Sequence, residues 1–138
     1  MKLIRVLVGV FTLLLLGAAH TLVSQVKNSS TTPPRYAYGQ SSEQTVRGWV
    51  VETRDFHCPV SGTMGSHITL KNETSTMEVH LAPAAFMKQY EINIRKGDNV
   101  TVIGSRIVFE GKTALIAKSV AIGRETYNFR DPAGNPLW

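Results

Sequence analysis

The sequence predicts a small all-β domain, a five-stranded barrel with one short helix. Short runs rich in β-branched residues recur after residue 43, and Gly, Pro, Asn or Asp separates them. One helical pattern lies between the third and fourth of these runs. The chain has 138 residues, 43% of them hydrophobic, and this length allows one small core. We therefore expect a single folded domain over residues 44–138.

The N-terminus has the layout of an export signal. An apolar run over residues 6–19 follows Lys2 and Arg5 and ends in small residues. This layout is typical of a secretory signal peptide, because a membrane-spanning helix needs about 20 apolar residues. We predict a signal peptide over residues 1–24, with an uncleaved inner-membrane anchor helix as the alternative. The protein would then be periplasmic or secreted, and would meet a membrane only through an uncleaved segment.

Composition also describes the next segment and limits the partners. Residues 25–43 are mostly Ser, Thr, Pro, Gln, Asn and Gly without an apolar period, which predicts a flexible linker. The net charge of +5 falls when the signal peptide is removed, since 13 basic residues then face 10 acidic ones. The basic residues are scattered, with no run longer than Arg95-Lys96. Nucleic-acid binding through phosphates alone is therefore not favoured.

Five runs of the chain have the composition or the alternation of β-strands. They are residues 45–54, 67–71, 76–81, 99–109 and 113–122. Gly48 in the first run provides a point where a long strand can bend or bulge. The segments NETS and EGK are expected to close two hairpins.

The helix and the tail complete the pattern. Residues 83–91 predict a short helix, because Pro83 suits a first helical position and apolar side chains follow along one side. The tail over residues 125–138 predicts a short strand, a turn, and Trp138 packed on the barrel. Three strands, a helix and two strands are the order of a five-stranded Greek-key OB-type barrel, the oligonucleotide/oligosaccharide-binding type. An open β-sandwich is the alternative, and the position of the helix favours the barrel.

Several segments also carry a resemblance to known proteins. They are CPVSGTMGSH, VHLAP, KGDNVTVIGSRI, ALIAKSV and FRDPAGNPLW. Together they resemble a group of small exported bacterial OB-fold-like proteins, mostly of unknown function. The resemblance covers nearly all of residues 44–138 and implies the barrel and a periplasmic or secreted location. It implies no catalytic residues.

The register of the first hairpin predicts where two histidines meet. If Lys71 pairs with Thr76, apolar residues of both strands face each other on the buried side. The same register sets His67 directly opposite His80, with Cβ atoms about 5 Å apart, on the face away from the core. A slip of two residues would make this pair diagonal.

Cys58, the only cysteine, lies in the predicted loop nine residues before His67. A lone cysteine in an exported protein forms no internal disulfide, so it is buried, reactive or a metal ligand. Gly62 and Gly65 allow the loop to fold back and bring Cys58 toward His67 and His80. One thiolate with two imidazoles suits zinc, or copper with an added weak thioether ligand.

His57 is a further candidate ligand, and Met64 is the candidate thioether. The spacing matches no known metal signature. A simpler interpretation packs Cys58 against the barrel as a small apolar residue and leaves the histidines solvated. We therefore expect no cofactor, with Cu or Zn as the alternative.

The sequence favours binding over catalysis. A Cys58 nucleophile with a histidine base lacks any recognisable oxyanion-stabilising motif, so we expect no enzyme. Barrels of this type bind ligands on the exposed face of the second and third strands. Candidate contacts there are Trp49, Phe56, His67, Thr69, Lys71, Glu78 and His80.

The predicted function is therefore that of an exported OB-type binding module for an unknown ligand. Small molecules, saccharides, nucleic acid and protein partners all remain open, and nucleic acid rests on fold analogy alone. The alternative is a periplasmic Cu- or Zn-binding protein that uses Cys58, His67 and His80.

Overall fold

The computed structural model describes residues 36–138, which form six strands and one short α-helix. The elements are β1 (Glu43–Cys58), β2 (Thr63–Lys71), β3 (Thr76–Pro83), α1 (Ala84–Gln89), β4 (Asn99–Phe109), β5 (Lys112–Ile122) and β6 (Glu125–Asn128). The predicted signal peptide, and the predicted linker up to residue 35, lie outside the described residues. Within residues 36–138, no helix is long and apolar enough to cross a membrane.

The sheet closes on itself as a Greek-key barrel. The strand order is β3-β2-β1-β4-β5, and a parallel pairing of β3 with β5 joins the two ends. Val79 of β3 pairs with Leu115 of β5 in this closure, and both side chains are fully buried. The short strand β6 adds to β5 after the closure. The predicted all-β OB-type barrel, with its helix between β3 and β4, is confirmed.

The core fills the inside of this barrel with aliphatic side chains from every strand of the closed sheet. Phe86 and Met87 of α1 and Phe129 after β6 complete it. Each fully buried large apolar side chain contributes about 1.5–3 kcal/mol through removal from water. The helix is shorter than predicted, because Pro83 ends β3 and acts as the residue before the first helical turn.

Strand β1 belongs to both halves of the barrel. Its first part pairs with β4 up to Trp49, and its second part pairs with β2 from Trp49 to Cys58. A bulge between Val50 and Glu52 bends the strand just after this change of partner. At Gly48 a Cβ atom would lie only 2.4 Å from the backbone oxygen of Lys71. The absence of a side chain at Gly48 therefore lets β1 and β2 approach.

Residues 36–42, which fall in the predicted linker, lie against the barrel. The Gly39 N–H donates to Ser105 Oγ at 2.9 Å, and the Ser42 hydroxyl lies 2.8 Å from the same oxygen. The guanidinium of Arg130 lies 5.2 Å from the centre of the Tyr38 ring. These contacts hold the segment before β1 on β4 and on the C-terminal tail.

We expect Gly48→Ala to lower the free energy of unfolding by about 1–3 kcal/mol, because the new methyl group meets backbone rather than a movable side chain. Urea unfolding followed by circular dichroism measures the loss. Gly39→Ala is the control: a Cβ there lies 3.4 Å from its nearest neighbour, and the residue has extended backbone. This variant should change stability by less than about 0.5 kcal/mol. Equal effects of the two substitutions would contradict the close approach at Gly48.

Candidate metal site

The predicted hairpin register is present in the structure. Lys71 pairs with Thr76, and His67 lies directly opposite His80. Both imidazoles are nevertheless buried, with only 1% of His67 and 3% of His80 exposed. The interpretation of these histidines as solvated residues is therefore wrong.

The histidines are buried because aromatic rings cover their face of the sheet. The Phe56 ring of β1 stacks on His67 with centroids 3.8 Å apart. The Phe109 ring, at the end of β4, meets the edge of His80 at 4.6 Å, and Tyr36 packs on Phe109 in turn. Phe109 is buried and Phe56 and Tyr36 are half-buried, and together they form an aromatic layer outside the barrel core that covers the two histidines.

Cys58 completes the cluster from the end of β1. The strand extends four residues beyond the predicted end at residue 54, so Cys58 is its last residue rather than part of a loop. Alternation along a strand turns Phe56 and Cys58 to the same side, and Cys58 is 2% exposed. Its Sγ lies 3.3 Å from His80 Nδ1. The ligand atoms of Cys58, His67 and His80 all lie within 4.8 Å of one another, which is the convergence that the sequence left open.

Glu78 connects both histidines to a surface arginine. His67 Nδ1 donates to Glu78 Oε1 at 2.9 Å, and the Arg54 Nη2 donates to Glu78 Oε2 at 2.8 Å. The same Oε1 lies 3.9 Å from His80 Nε2. A carboxylate on Nδ1 assigns the proton to that nitrogen, which leaves the lone pair on His67 Nε2. Among the described residues, His67 Nε2 and His80 Nε2 have no hydrogen-bond partner.

Both histidines are neutral at neutral pH. Burial lowers the pKa of His67 to about 4, and the nearby positive charge of Arg54 acts in the same direction. Burial also lowers the pKa of His80 to about 4, helped by His67 and opposed by Glu78. The contact between His67 and Glu78 is thus a hydrogen bond from a neutral imidazole to a carboxylate. Neutral imidazoles are the form that binds metal ions.

Gly65 leaves open the space between the sulfur and the first histidine. A Cβ at this position would lie 2.6 Å from the Cys58 Cβ and 3.1 Å from His67 Nε2. A cavity of about 10 Å³ adjoins the three side chains, about the smallest space that holds one water molecule. Gly62, which was expected to fold a loop back, instead provides the left-handed residue of a tight turn with φ of 69°.

The two additional candidate ligands do not join the cluster. His57 is exposed, and Met64, which pairs with it, has 54% of its surface exposed. The alternation of the strand explains this, because neighbours of Phe56 and Cys58 face the other side. The structure therefore brings together three of the predicted metal ligands and leaves out His57 and Met64.

The predicted ligand-binding residues are divided between two places. Phe56, His67, Glu78 and His80 lie together in the cluster described above, where the two histidines are buried and Phe56 and Glu78 are half-buried. Lys71 is exposed and Thr69 is half-buried, with its hydroxyl 3.4 Å from a Glu52 carboxylate oxygen. Trp49 has 52% of its surface exposed and lines a separate groove of about 380 Å³.

Arg54 and Phe109 belong to the site but were not predicted from the sequence. Arg54 had a signal, because it precedes Phe56 and Cys58 at intervals of two and shares their side of β1 once the strand is extended to residue 58. Phe109 had no local signal, because it reaches His80 only through the closure of the barrel.

Comparisons with known proteins show the family. The model of the MamS/MamX magnetosome protein family matches residues 42–127, which include Cys58, His67 and His80. The chain belongs to this family. A comparison with curated protein sequences gave no match.

Solved structures with similar chains are remote in sequence. The S. pombe Stn1–Ten1 complex contains a chain that is 17% identical, with a TM-score of 0.47, over 60% of this chain and 59% of that one. The asparaginyl-tRNA synthetase of Pyrococcus horikoshii is 11% identical, with a TM-score of 0.46, over 66% of this chain and 21% of the synthetase chain. Its complex with asparaginyl-adenylate matches over 66% of this chain and 20% of the other, with the same identity and TM-score.

The burial of two neutral histidines predicts that the metal-free protein loses stability in acid. Their folded pKa values of about 4 lie below the ordinary value of 6.5. Below pH 6.5 the unfolded chain binds protons at these histidines and the folded protein does not. The free energy of unfolding is therefore highest above pH 6.5 and falls as the pH decreases toward 4. We expect urea unfolding in the presence of a chelator to show that the free energy of unfolding falls by a few kcal/mol from about pH 7.5 to about pH 4.5.

The double variant His67→Gln, His80→Gln separates this effect from the titration of surface carboxylates. Its free energy of unfolding should change less over the same pH interval than that of the parent protein. Parallel pH profiles of the two proteins would rule out the two histidines as the cause.

Proposed function

We propose that this protein is a metal-binding module that holds one copper or zinc ion between Cys58, His67 and His80. The observation that carries this proposal is the lone pair of His67 Nε2, which is buried beside a thiol and a second imidazole without a partner. A buried polar atom without a partner costs about 1–3 kcal/mol. A bound ion would use this lone pair and offset the cost.

The donor set suits a transition-metal ion of borderline or soft character. Cys58 would bind as a thiolate and His67 through Nε2, since its Nδ1 is held by Glu78. His80 would bind through Nδ1, which faces the sulfur, and its Nε2 would face Glu78. Bond lengths of about 2.3 Å to sulfur and about 2.0 Å to nitrogen place the donors of one ion within about 4 Å of one another. Small rotations of the three side chains would achieve this.

Glu78 and Arg54 are the supporting residues of the proposed site. A carboxylate behind a metal-binding histidine orients the ring and makes it a better donor. Glu78 is itself held by Arg54, so the orientation of His67 rests on two charge-assisted contacts of 2.9 and 2.8 Å. Metal-binding histidines almost always donate their second N–H to such a partner, which supports His67 as a ligand.

We expect the purified protein to bind one Zn(II) or one Cu(I) per chain under reducing, oxygen-free conditions. Cys58→Ser, His67→Gln and His80→Gln should each abolish stoichiometric binding, because each removes one of three ligands. Competition with a chromophoric chelator, together with metal analysis after gel filtration, measures both stoichiometry and affinity.

Two substitutions serve as matched controls. His57→Gln and Met64→Leu each remove a potential metal ligand that lies outside the cluster. Both variants should bind the ion as the parent protein does. Circular dichroism confirms that each variant is folded. A parent protein that binds neither ion, or a Cys58→Ser variant that binds like the parent, would refute the proposed site.

A second function is favoured by the groove at the other end of β2. Trp49 is half-exposed there, and Arg47, Glu73, Asn72 and Asn99 line the groove around it. An exposed indole ringed by amide and charged groups suits stacking against a sugar ring with hydrogen bonds to its hydroxyls. The charges of Arg47 and Glu73 offset each other, which favours a neutral saccharide over a phosphate backbone. We propose that this groove binds an oligosaccharide.

We expect neutral oligosaccharides, and not single-stranded DNA of similar length, to shift NMR signals of residues around Trp49. Trp49→Ala should weaken binding about 5- to 150-fold, if stacking of a sugar contributes about 1–3 kcal/mol, as stacking of a base on an aromatic ring does. Tyr90→Ala removes another exposed aromatic ring, away from the groove, and should leave affinity unchanged. Preferential binding of the DNA, or an unchanged affinity in Trp49→Ala, would exclude a saccharide groove.

A further inference from the structure

We propose that the resident ion is copper and that it exchanges single electrons between Cu(I) and Cu(II). This inference rests on the metal-binding function proposed above. It follows from the number of ligands, from the shell around them and from the independence of the barrel from the ion.

The cluster offers three ligands to an ion. Among the described residues, the group of ligand side chains that meets here consists of Cys58, His67 and His80. Glu78 Oε1 already accepts the proton of His67, and the candidate thioether, Met64, faces solvent. A zinc ion held by three protein ligands takes a water molecule as its fourth ligand, and the cavity of about 10 Å³ beside the cluster is about the smallest that holds a single water. One cysteine and two histidines in a plane are the ligands of electron-transfer copper sites.

The surroundings of the cluster favour the reduced ion. With a thiolate and two neutral imidazoles, the Cu(I) form carries no net charge and the Cu(II) form carries one positive charge. The rings of Phe56 and Phe109 exclude water from the histidines. A net charge is costly in such surroundings, so the uncharged Cu(I) form is favoured over the charged Cu(II) form. Arg54 compensates the charge of Glu78, which would otherwise stabilise Cu(II). We therefore expect a high reduction potential.

Electron transfer at this site needs no other chemical change. Cu(II) accepts one electron from a one-electron donor and becomes Cu(I), and the reverse step returns the electron to a one-electron acceptor. Cys58 remains a thiolate, and the proton on His67 Nδ1 stays in its hydrogen bond to Glu78. The ligands lie on three adjacent hydrogen-bonded strands, with Cys58 paired to Thr63 and His67 paired to His80, so we expect them to move little between the two oxidation states.

A purely structural ion is less consistent with the fold. The barrel is closed by the pairing of β3 with β5, and its core consists of residues other than the three ligands. Small domains that need zinc for folding lack such a core. The barrel is therefore expected to fold without an ion in this position.

The test uses the full chain, loaded with Cu(I) without oxygen and then oxidised with ferricyanide. We expect an intense visible thiolate-to-Cu(II) absorption band and a Cu(II) electron paramagnetic resonance signal of one spin per chain. Ascorbate should abolish both, and repeated cycles should restore them with one electron per ion. Cys58→Ser should lack the visible band.

Glu78→Gln should shift the reduction potential, because it removes a negative charge that is hydrogen-bonded to a ligand. Glu125→Gln removes an exposed carboxylate on β6, away from the site, and should leave the potential unchanged. Equal potentials in the two variants would contradict the role of Glu78 at a redox ion.

The outcomes separate this inference from the function on which it rests. Binding of Zn(II) or Cu(I) without a reversible Cu(II) form, or oxidation of Cys58 by bound copper, would overturn the redox proposal and leave metal binding intact. Failure to bind any of these ions would overturn both.

Discussion

The double pairing of β1 is the constraint on which the rest of the structure depends. The strand leaves β4 at Trp49 and continues along β2 as far as Cys58. This path joins the β2-β3 hairpin to the β4-β5 hairpin and also carries Phe56 and Cys58 across the outer side of β2 and β3. A β1 that ended at the predicted residue 54 would leave His67 without the stacked ring of Phe56 and His80 without its contact to Cys58. The fold and the candidate site therefore share one cause, the approach of β1 to β2 at Gly48.

Glu78 turns a buried layer into an arrangement with a defined chemistry. A carboxylate near a buried histidine usually raises its pKa, yet desolvation is the larger effect here and both rings stay neutral. Arg54 contributes to this result, because its charge disfavours a second positive charge on His67. The carboxylate is then free to orient a neutral ring rather than to hold a cationic one. Burial thus produces two neutral imidazoles from residues that would titrate near pH 6.5 in water.

Much of the fold could be predicted from the sequence, because strand periods and turn residues are local signals. The register that sets His67 opposite His80 followed from matching apolar residues across one hairpin. The burial of the pair could not be predicted in this way, since Phe109 reaches His80 from a strand that is close only after the barrel closes. His57 and Met64 were attractive for their chemistry, and strand alternation excludes them once the extent of β1 is known. The end of β1 therefore determines which of the candidate ligands can lie together.

The outer face of β2 and β3 is where OB-type barrels commonly bind their ligands, and in this chain the proposed metal cluster occupies one end of it. The rings of Phe56 and Phe109 are packed on histidines and are not available to stack on a ligand. Of the aromatic residues predicted to contact a ligand, Trp49 is the exposed one, and it lines a groove that none of the three ligands joins. Effects of substitutions at separate sites usually add. The two proposed functions can thus be removed one at a time, and the barrel provides the scaffold for each.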